Sequence, residues 1–274
     1  MRCAWNELLC LLPQWMRTDV DRLGKNTLQE LRLRKGLPPA LIRTDGIVYL
    51  DRKVKQEDIQ FCINAASQYS PWTTASISQG YLSTAGGHRI GLCGEVVRKQ
   101  GQPETMRNIR SLCIRVARDI PGIGRGIPVD RSILILGAPG WGKTTLLRDI
   151  IRCRSEGGMQ VAVVDERGEL FPSEAFPIGN CTDILTGCPK EAGIHMLLRT
   201  MGPTCIAVDE ITQPEDCAAL IRAAGCGVLL LATAHAADIE DLRRRNVYKP
   251  LLESGIFTDI ILLRPDKSWH MERV

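Results

Sequence analysis

Five short runs constrain this chain more than any other feature. Ser132–Leu136 (SILIL), Val161–Val164 (VAVV), Cys205–Val208 (CIAV), Val228–Ala232 (VLLLA) and Ile260–Leu263 (IILL) are almost free of polar residues, and helical periodicity fills the stretches between them. A strand that is apolar on consecutive residues shows apolar side chains to both faces of its sheet, so both faces must be covered. Helices alternating with parallel strands supply that cover. Residues 131–274 therefore read as a doubly wound α/β domain.

The first part is patterned differently. Leu28–Leu33 (LQELRL) and Ser111–Arg118 (SLCIRVAR) alternate apolar with polar, Leu41-Ile42 and Ile47–Leu50 flank a Thr-Asp-Gly turn, and Glu57–Tyr69 has helical periodicity. Tyr81–Arg98 reads as two strands around a glycine hinge. These features predict a small α+β domain over residues 1–120. Asp119–Asp130 (DIPGIGRGIPVD) holds two prolines and three glycines without any period, so residues 121–130 are expected to form a hinge. At the start, Ala4, Trp5, Leu8, Leu9, Leu11, Leu12, Trp15 and Met16 recur at helical spacing and predict an amphipathic helix ending near Pro13 or just after it. Its stripe either packs on its own domain or lies on a membrane surface or a partner, and Trp5 and Trp15 suit all of these.

The totals narrow the function classes. Thirty-five basic against 31 acidic residues give a net charge of +4, spread along the chain, and aromatics make up 5%. A basic groove with stacking aromatics is therefore not indicated, and no nucleic-acid partner is expected. The 11 cysteines are odd in number and lack any C-x-x-C pair; thiols such as Cys62, Cys205 and Cys226 lie in apolar stretches and read as small buried groups in a reducing compartment. No apolar run approaches the ~18–20 residues that cross a bilayer, and Asn6 and Glu7 interrupt the signal-like start. A cytoplasmic protein is expected.

The first apolar run leads into Gly137-Ala138-Pro139-Gly140-Trp141-Gly142-Lys143-Thr144-Thr145 and then into an amphipathic helix. This is the G-x-x-x-x-G-K-[ST] loop in its required strand-to-helix context. The glycines let main-chain N–H groups converge as a nest, and the helix N-terminus adds about half a positive charge. Such a nest fits phosphate oxygens. Lys143 would reach the β- and γ-phosphates, and the Thr144 hydroxyl would ligate Mg²⁺. Trp141 is bulky for this loop; its side chain is expected to point out of the nest, covering the nucleotide or touching a neighbouring subunit.

Ligands of an open α/β sheet sit at the carboxyl ends of its strands. CIAV runs into Asp209-Glu210, which suits metal holding by Asp209 and polarisation of the attacking water by Glu210. VAVV runs into Asp165-Glu166-Arg167, and VLLLA runs into Thr233 and His235. Carboxylates at such ends also serve as helix caps, and a histidine there also serves as a packed core residue; both alternatives stay open. No N-K-x-D or T-K-x-D guanine-reading signature follows the loop, so ATP is the expected nucleotide.

Taken in order, the phosphate loop, the acidic box VVDERGE, the segment LLRTMGPTCIAVDEI and the segment GVLLLATAHAAD resemble the secretion ATPases of type II and type IV pilus systems. With ELRLRKGLP, GGHRIGLCG, IRSLCIRVAR and TDILTGCPK added, nearly the whole chain resembles the stage III sporulation AA family of endospore-forming bacteria. That resemblance implies a RecA-like P-loop NTPase domain behind a smaller α+β domain. It also implies a hexameric ATPase of the mother cell, working with membrane-embedded channel proteins between mother cell and forespore. By the same resemblance the acidic box falls on Asp165 and Glu166, Walker B on Asp209 and Glu210, and the histidine box on His235. Pilus-type ATPases commonly carry glycine before the catalytic glutamate, where this chain has Asp209. Ring ATPases also need a late positive charge at the γ-phosphate, worth ~10³–10⁵ in rate; Arg89, Arg98, Arg110, Arg115 and Arg199 are candidates, and flanking glycines favour Arg89. A nucleic-acid translocase on the same core, or an ATP-binding scaffold with little turnover, are the alternatives.

Overall fold

Pro13 divides the N-terminal apolar stripe into two helices, α1 (Trp5–Cys10) and α2 (Gln14–Gly24). This is where the computed structural model of the chain, which describes residues 3–67, 80–84, 86–99 and 102–273, departs first from the pattern. The stripe does not end at the proline, because a ring without an N–H suits a helix start and Met16 and Val20 extend the same apolar face. Leu8, Leu12, Met16 and Val20 are fully buried in one core with Leu31, Leu33, Ile90 and Ile114. The Trp5 indole donates to Asp21 at 2.6 Å and that of Trp15 to Asp58 at 2.8 Å. Both tryptophans thus face their own unit, and the stripe is a core face.

The chain divides into two units, Met1–Asp119 with Pro172–Phe176, and Ile120–Phe171 with Pro177–Val274. In the first, β1 (Leu28–Arg34), β2 (Ala40–Arg43), β3 (Gly46–Tyr49), α3 (Gln56–Ser67), β4 (Tyr81–Ser83), β5 (Arg89–Lys99) and β6 (Gln102–Arg115) follow α2. The strands form one antiparallel sheet in the order β3-β2-β1-β6-β5-β4. Tyr69, expected at the end of α3, lies outside the described residues. The long β5–β6 hairpin exceeds its sequence pattern. Past Gly94 its residues are mostly exposed, so nothing there selects an apolar face. Register shifts between Cys93 and Glu95 mark where the arm leaves the core. A Cβ at Gly94 would stand 2.7 Å from the Arg107 carbonyl oxygen, so only glycine fits that crossing.

The second unit runs β7 (Ile133–Leu136), α4 (Lys143–Glu156), β8 (Val161–Asp165), β9 (Thr182–Thr186), α5 (Lys190–Thr200), β10 (Cys205–Val208), α6 (Pro214–Gly225), β11 (Leu229–Ala234), α7 (Ile239–Arg244), α8 (Lys249–Ser254), β12 (Asp259–Leu263) and β13 (Trp269–Arg273). Its sheet order is β13-β12-β7-β11-β10-β8-β9, parallel except for β13 at the edge. One core gathers Ile133, Ile135, Val161, Val163 and Leu231 under Leu146, Leu147, Ile150 and Ile151 of α4. Another gathers Leu134, Leu136, Val164, Ile206, Val208 and Leu230 under Ile194 of α5 and Leu220 of α6. Alternate residues of the same strands enter opposite cores, which is the two-sided burial that the apolar runs demand.

Residues 121–130 run as turns within this second unit. Ile127 is buried in the α4 core, and the buried Asp149 carboxylate accepts from Gly122 N at 3.1 Å and Gly124 N at 2.6 Å while pairing with Arg152. Replacing Asp149 with alanine removes the carboxylate that pairs with a buried guanidinium and accepts from two amides. It is expected to lower the unfolding free energy by about 3–5 kcal/mol in a urea titration. The cysteines are all free thiols, but only Cys62, Cys205 and Cys217 are buried, and Cys226, at the exposed end of α6, is not. The expectation of buried thiols therefore holds for the sheet and helix interiors alone.

Candidate active site

Strand order decides which loops meet. β11 lies between β7 and β10, so the segment after β11 stands between the loop after β7 and the acids after β10. Register carries this further: Leu136 is level with Ala234, and Val208 with Ala232. β11 thus outruns β10 by two residues, placing Thr233 level with Asp209 and His235 beside Gly137.

The loop Gly137–Gly142 turns sharply into α4 through Gly140 (φ +80°) and Gly142 (φ +101°), values that side-chain-bearing residues rarely adopt. Lys143, the first residue of α4, is buried, and its Nζ donates to the carbonyls of Gly137 (2.8 Å) and Ala138 (3.1 Å) and to His235 Nδ1 (2.8 Å). An ammonium only donates, so Nδ1 is the acceptor and the Nε2 of a neutral His235 carries the proton. That Nε2 lies 3.1 Å from Glu210 Oε1. Lysine, histidine and glutamate therefore form one chain of bonds. Burial pushes the Lys143 pKa below its ordinary value, against the opposing pull of Asp209 and Glu210.

Thr144 donates its hydroxyl to Asp209 Oδ2 at 2.8 Å, and Thr233 donates to Asp209 Oδ1 at 2.6 Å. Glu210 adopts φ +54°, a left-handed conformation that a non-glycine residue keeps only when its surroundings impose it. Its N–H donates to Thr233 Oγ1 at 2.8 Å, and its Oε2 accepts from Arg167 at 3.1 Å. Tyr248 donates to the Ile211 carbonyl at 3.0 Å, holding the chain beyond the acids.

Lys143, Thr144, Asp209, Glu210 and His235 are thus brought together. The acidic box is not part of that chain. The buried carboxyl of Asp165 accepts from Glu169 N (2.9 Å) and Leu170 N (2.8 Å), shaping its own loop, and burial raises its pKa against those two bonds. Glu166 pairs with Lys190 at 2.6 Å, and Lys190 also stands 3.8 Å from Asp216. Trp141 is half-buried and packs against the α4 core, while Thr145 continues α4. Arg89 belongs to the first unit, where its guanidinium lies 4.0 Å from the Tyr81 ring centre.

The sequence pattern left Thr233, Arg167, Lys190 and Tyr248 without roles. Lys190 carried one usable signal: a lysine opening a helix opposes the helix dipole, which marks it as held by acids. The others depend on strand order, which no local pattern displays.

Known proteins resemble this chain over nearly its full length. Residues 7–271 match the family described as sporulation stage III, protein AA. The stage III sporulation protein AA of Bacillus subtilis (strain 168) is 35% identical over 273 residues, covering 92% of this chain and 88% of its own. Among solved structures, the Legionella pneumophila ATPase DotB superposes with a TM-score of 0.64 at 18% identity, over 96% of this chain and 80% of its own. The pilus retraction motor PilT, solved with ADP, gives 0.62 at 17%, over 90% and 76%. At such identities the likeness is one of fold: a RecA-like P-loop NTPase domain with a smaller α+β domain before it. The sequence match, by contrast, runs from the first helix to the last strand, and on it the chain belongs to the sporulation stage III, protein AA family.

Proposed function

We propose that the chain is a Mg²⁺-dependent ATPase that works as a hexameric ring on a membrane-embedded channel complex between mother cell and forespore. The observation that carries the enzymatic part is the single bond chain from the loop lysine through His235 to Glu210, beside the Thr144–Asp209 pair. The ring and its channel partners rest on the resemblance to secretion ATPases and on family membership. Among the described residues no helix is long and apolar enough to cross a membrane.

The donor set fits magnesium. Thr144 and Asp209 offer hard oxygen atoms, and among the described residues no group of three or more His, Cys, Asp or Glu could hold a metal by itself. A small cation held by one or two side chains and by the substrate's own phosphates suits that sparse set. When bound, Mg²⁺ would offset charge building on the transferred phosphoryl group. Lys143 would hold the β- and γ-phosphates, main-chain amides of residues 140–145 would cradle them, and Glu210 would orient and deprotonate water.

The test is phosphate release from ATP by the full chain with Mg²⁺ or with EDTA, alongside solution mass with and without nucleotide. Release that needs Mg²⁺, with a mass near six chains, is the expected result. A monomer that neither binds nor turns over ATP under any of these conditions would overturn the proposal.

A further inference from the structure

We propose that Thr233 is a positioning residue that sets both acids of the site through one hydroxyl; this deepens the ATPase reading and rests on it. Thr233 is fully buried where β11 outruns β10. Its Oγ1 donates to Asp209 Oδ1 at 2.6 Å and accepts from the Glu210 N–H at 2.8 Å, while its carbonyl accepts from Ile211 N at 2.8 Å. Three successive residues after β10 are therefore tied to one threonine.

The two hydroxyl bonds do different things. The first occupies one Asp209 oxygen and leaves the other, Oδ2, aimed at the Thr144 hydroxyl, so Asp209 meets the loop in one orientation. The second holds the Glu210 backbone at φ +54°. From there its carboxylate reaches His235 and Arg167, on the side of the Lys143 chain. Valine has the same shape but neither donates nor accepts, so it would leave the Glu210 amide unsatisfied and Asp209 free to rotate. Serine keeps both bonds and loses only a methyl group.

The test compares full-length wild type, Thr233→Val and Thr233→Ser by two readouts. The first needs no nucleotide: hydrogen exchange of the peptide containing the Glu210 amide, expected about tenfold faster or more in the valine chain and near wild type in the serine chain. The second is ATP turnover against Mg²⁺ concentration. The valine chain is expected to lose about 10–100-fold in kcat or need that much more Mg²⁺, as loss of an outer-shell partner typically does, with KM for ATP little changed. Equal exchange in all three chains, or equal impairment of valine and serine, would overturn the proposal. Should the valine chain not fold, Thr233→Ala against Thr233→Ser makes the same comparison, since both lose the methyl and only one loses the hydroxyl. If wild type shows no turnover, the ATPase reading fails, and the exchange experiment still decides whether Thr233 positions Glu210.

Discussion

Replacing Glu210 with glutamine is expected to lower ATP turnover by about 10²–10⁴-fold, the usual contribution of a positioned general base, while nucleotide affinity stays close to that of the parent. Glutamine keeps the length and planarity of the side chain and one acceptor oxygen, enough for Arg167 or for the His235 Nε2–H but not for both. What it loses is the ability to take a proton from water. The neighbouring Asp209 cannot substitute, because both its oxygens are engaged, one by Thr144 and the other by Thr233. Where pilus-type sequences commonly have glycine, Asp209 faces the loop threonine, and Glu210 faces the lysine–histidine chain. Single-turnover phosphate release alongside equilibrium binding of the same variant separates the two effects. A variant that hydrolyses at the parent rate would remove Glu210 from the chemistry.

Lys143→Ala is expected to act on binding itself. The donors of the buried Lys143 ammonium are met by two loop carbonyls and a histidine, and on the ATPase reading one of them would be exchanged for a phosphate oxygen. With nucleotide bound, the ammonium and a phosphate oxygen would form a buried charge pair, and truncating one member of such a pair costs about 2–5 kcal/mol, or roughly 30- to 4,000-fold in dissociation constant. Calorimetric titration with an ATP analogue reads that shift directly. The depressed pKa of Lys143 adds a pH signature. Its charged form is the one that binds phosphate, so affinity is retained below its lowered pKa and declines as pH rises through it, before an ordinary lysine would discharge. An alanine chain that binds as tightly as the parent would contradict the assignment.

The legible part of the fold is the part whose residues are buried on two sides. β7, β8, β10, β11 and β12 stand out because nearly all their residues are buried and their apolar ones enter two cores. β9 (TDILT) and β13 (WHMER) do not, since an edge strand with one half-open face mixes its polarity. The outer arm of β5–β6 has no covered face to give it a period. In the site, the loop and the acids announce themselves by local pattern, whereas the bond from Lys143 to His235 depends on β11 lying between β7 and β10. The same strand order brings Thr233 to both acids, and Arg167 reaches Glu210 between neighbouring strands, from the end of β8 to that of β10.

The most direct measurement is a crystal structure of the full chain with Mg²⁺ and a non-hydrolysable ATP analogue. The account predicts the triphosphate cradled by the amides of residues 140–145 with Lys143 Nζ on its terminal oxygens, the metal beside Thr144 and Asp209, and the Glu210 carboxylate turned toward the γ-phosphate. An analogue bound elsewhere at saturation, or Glu210 turned away from the phosphate, would contradict it.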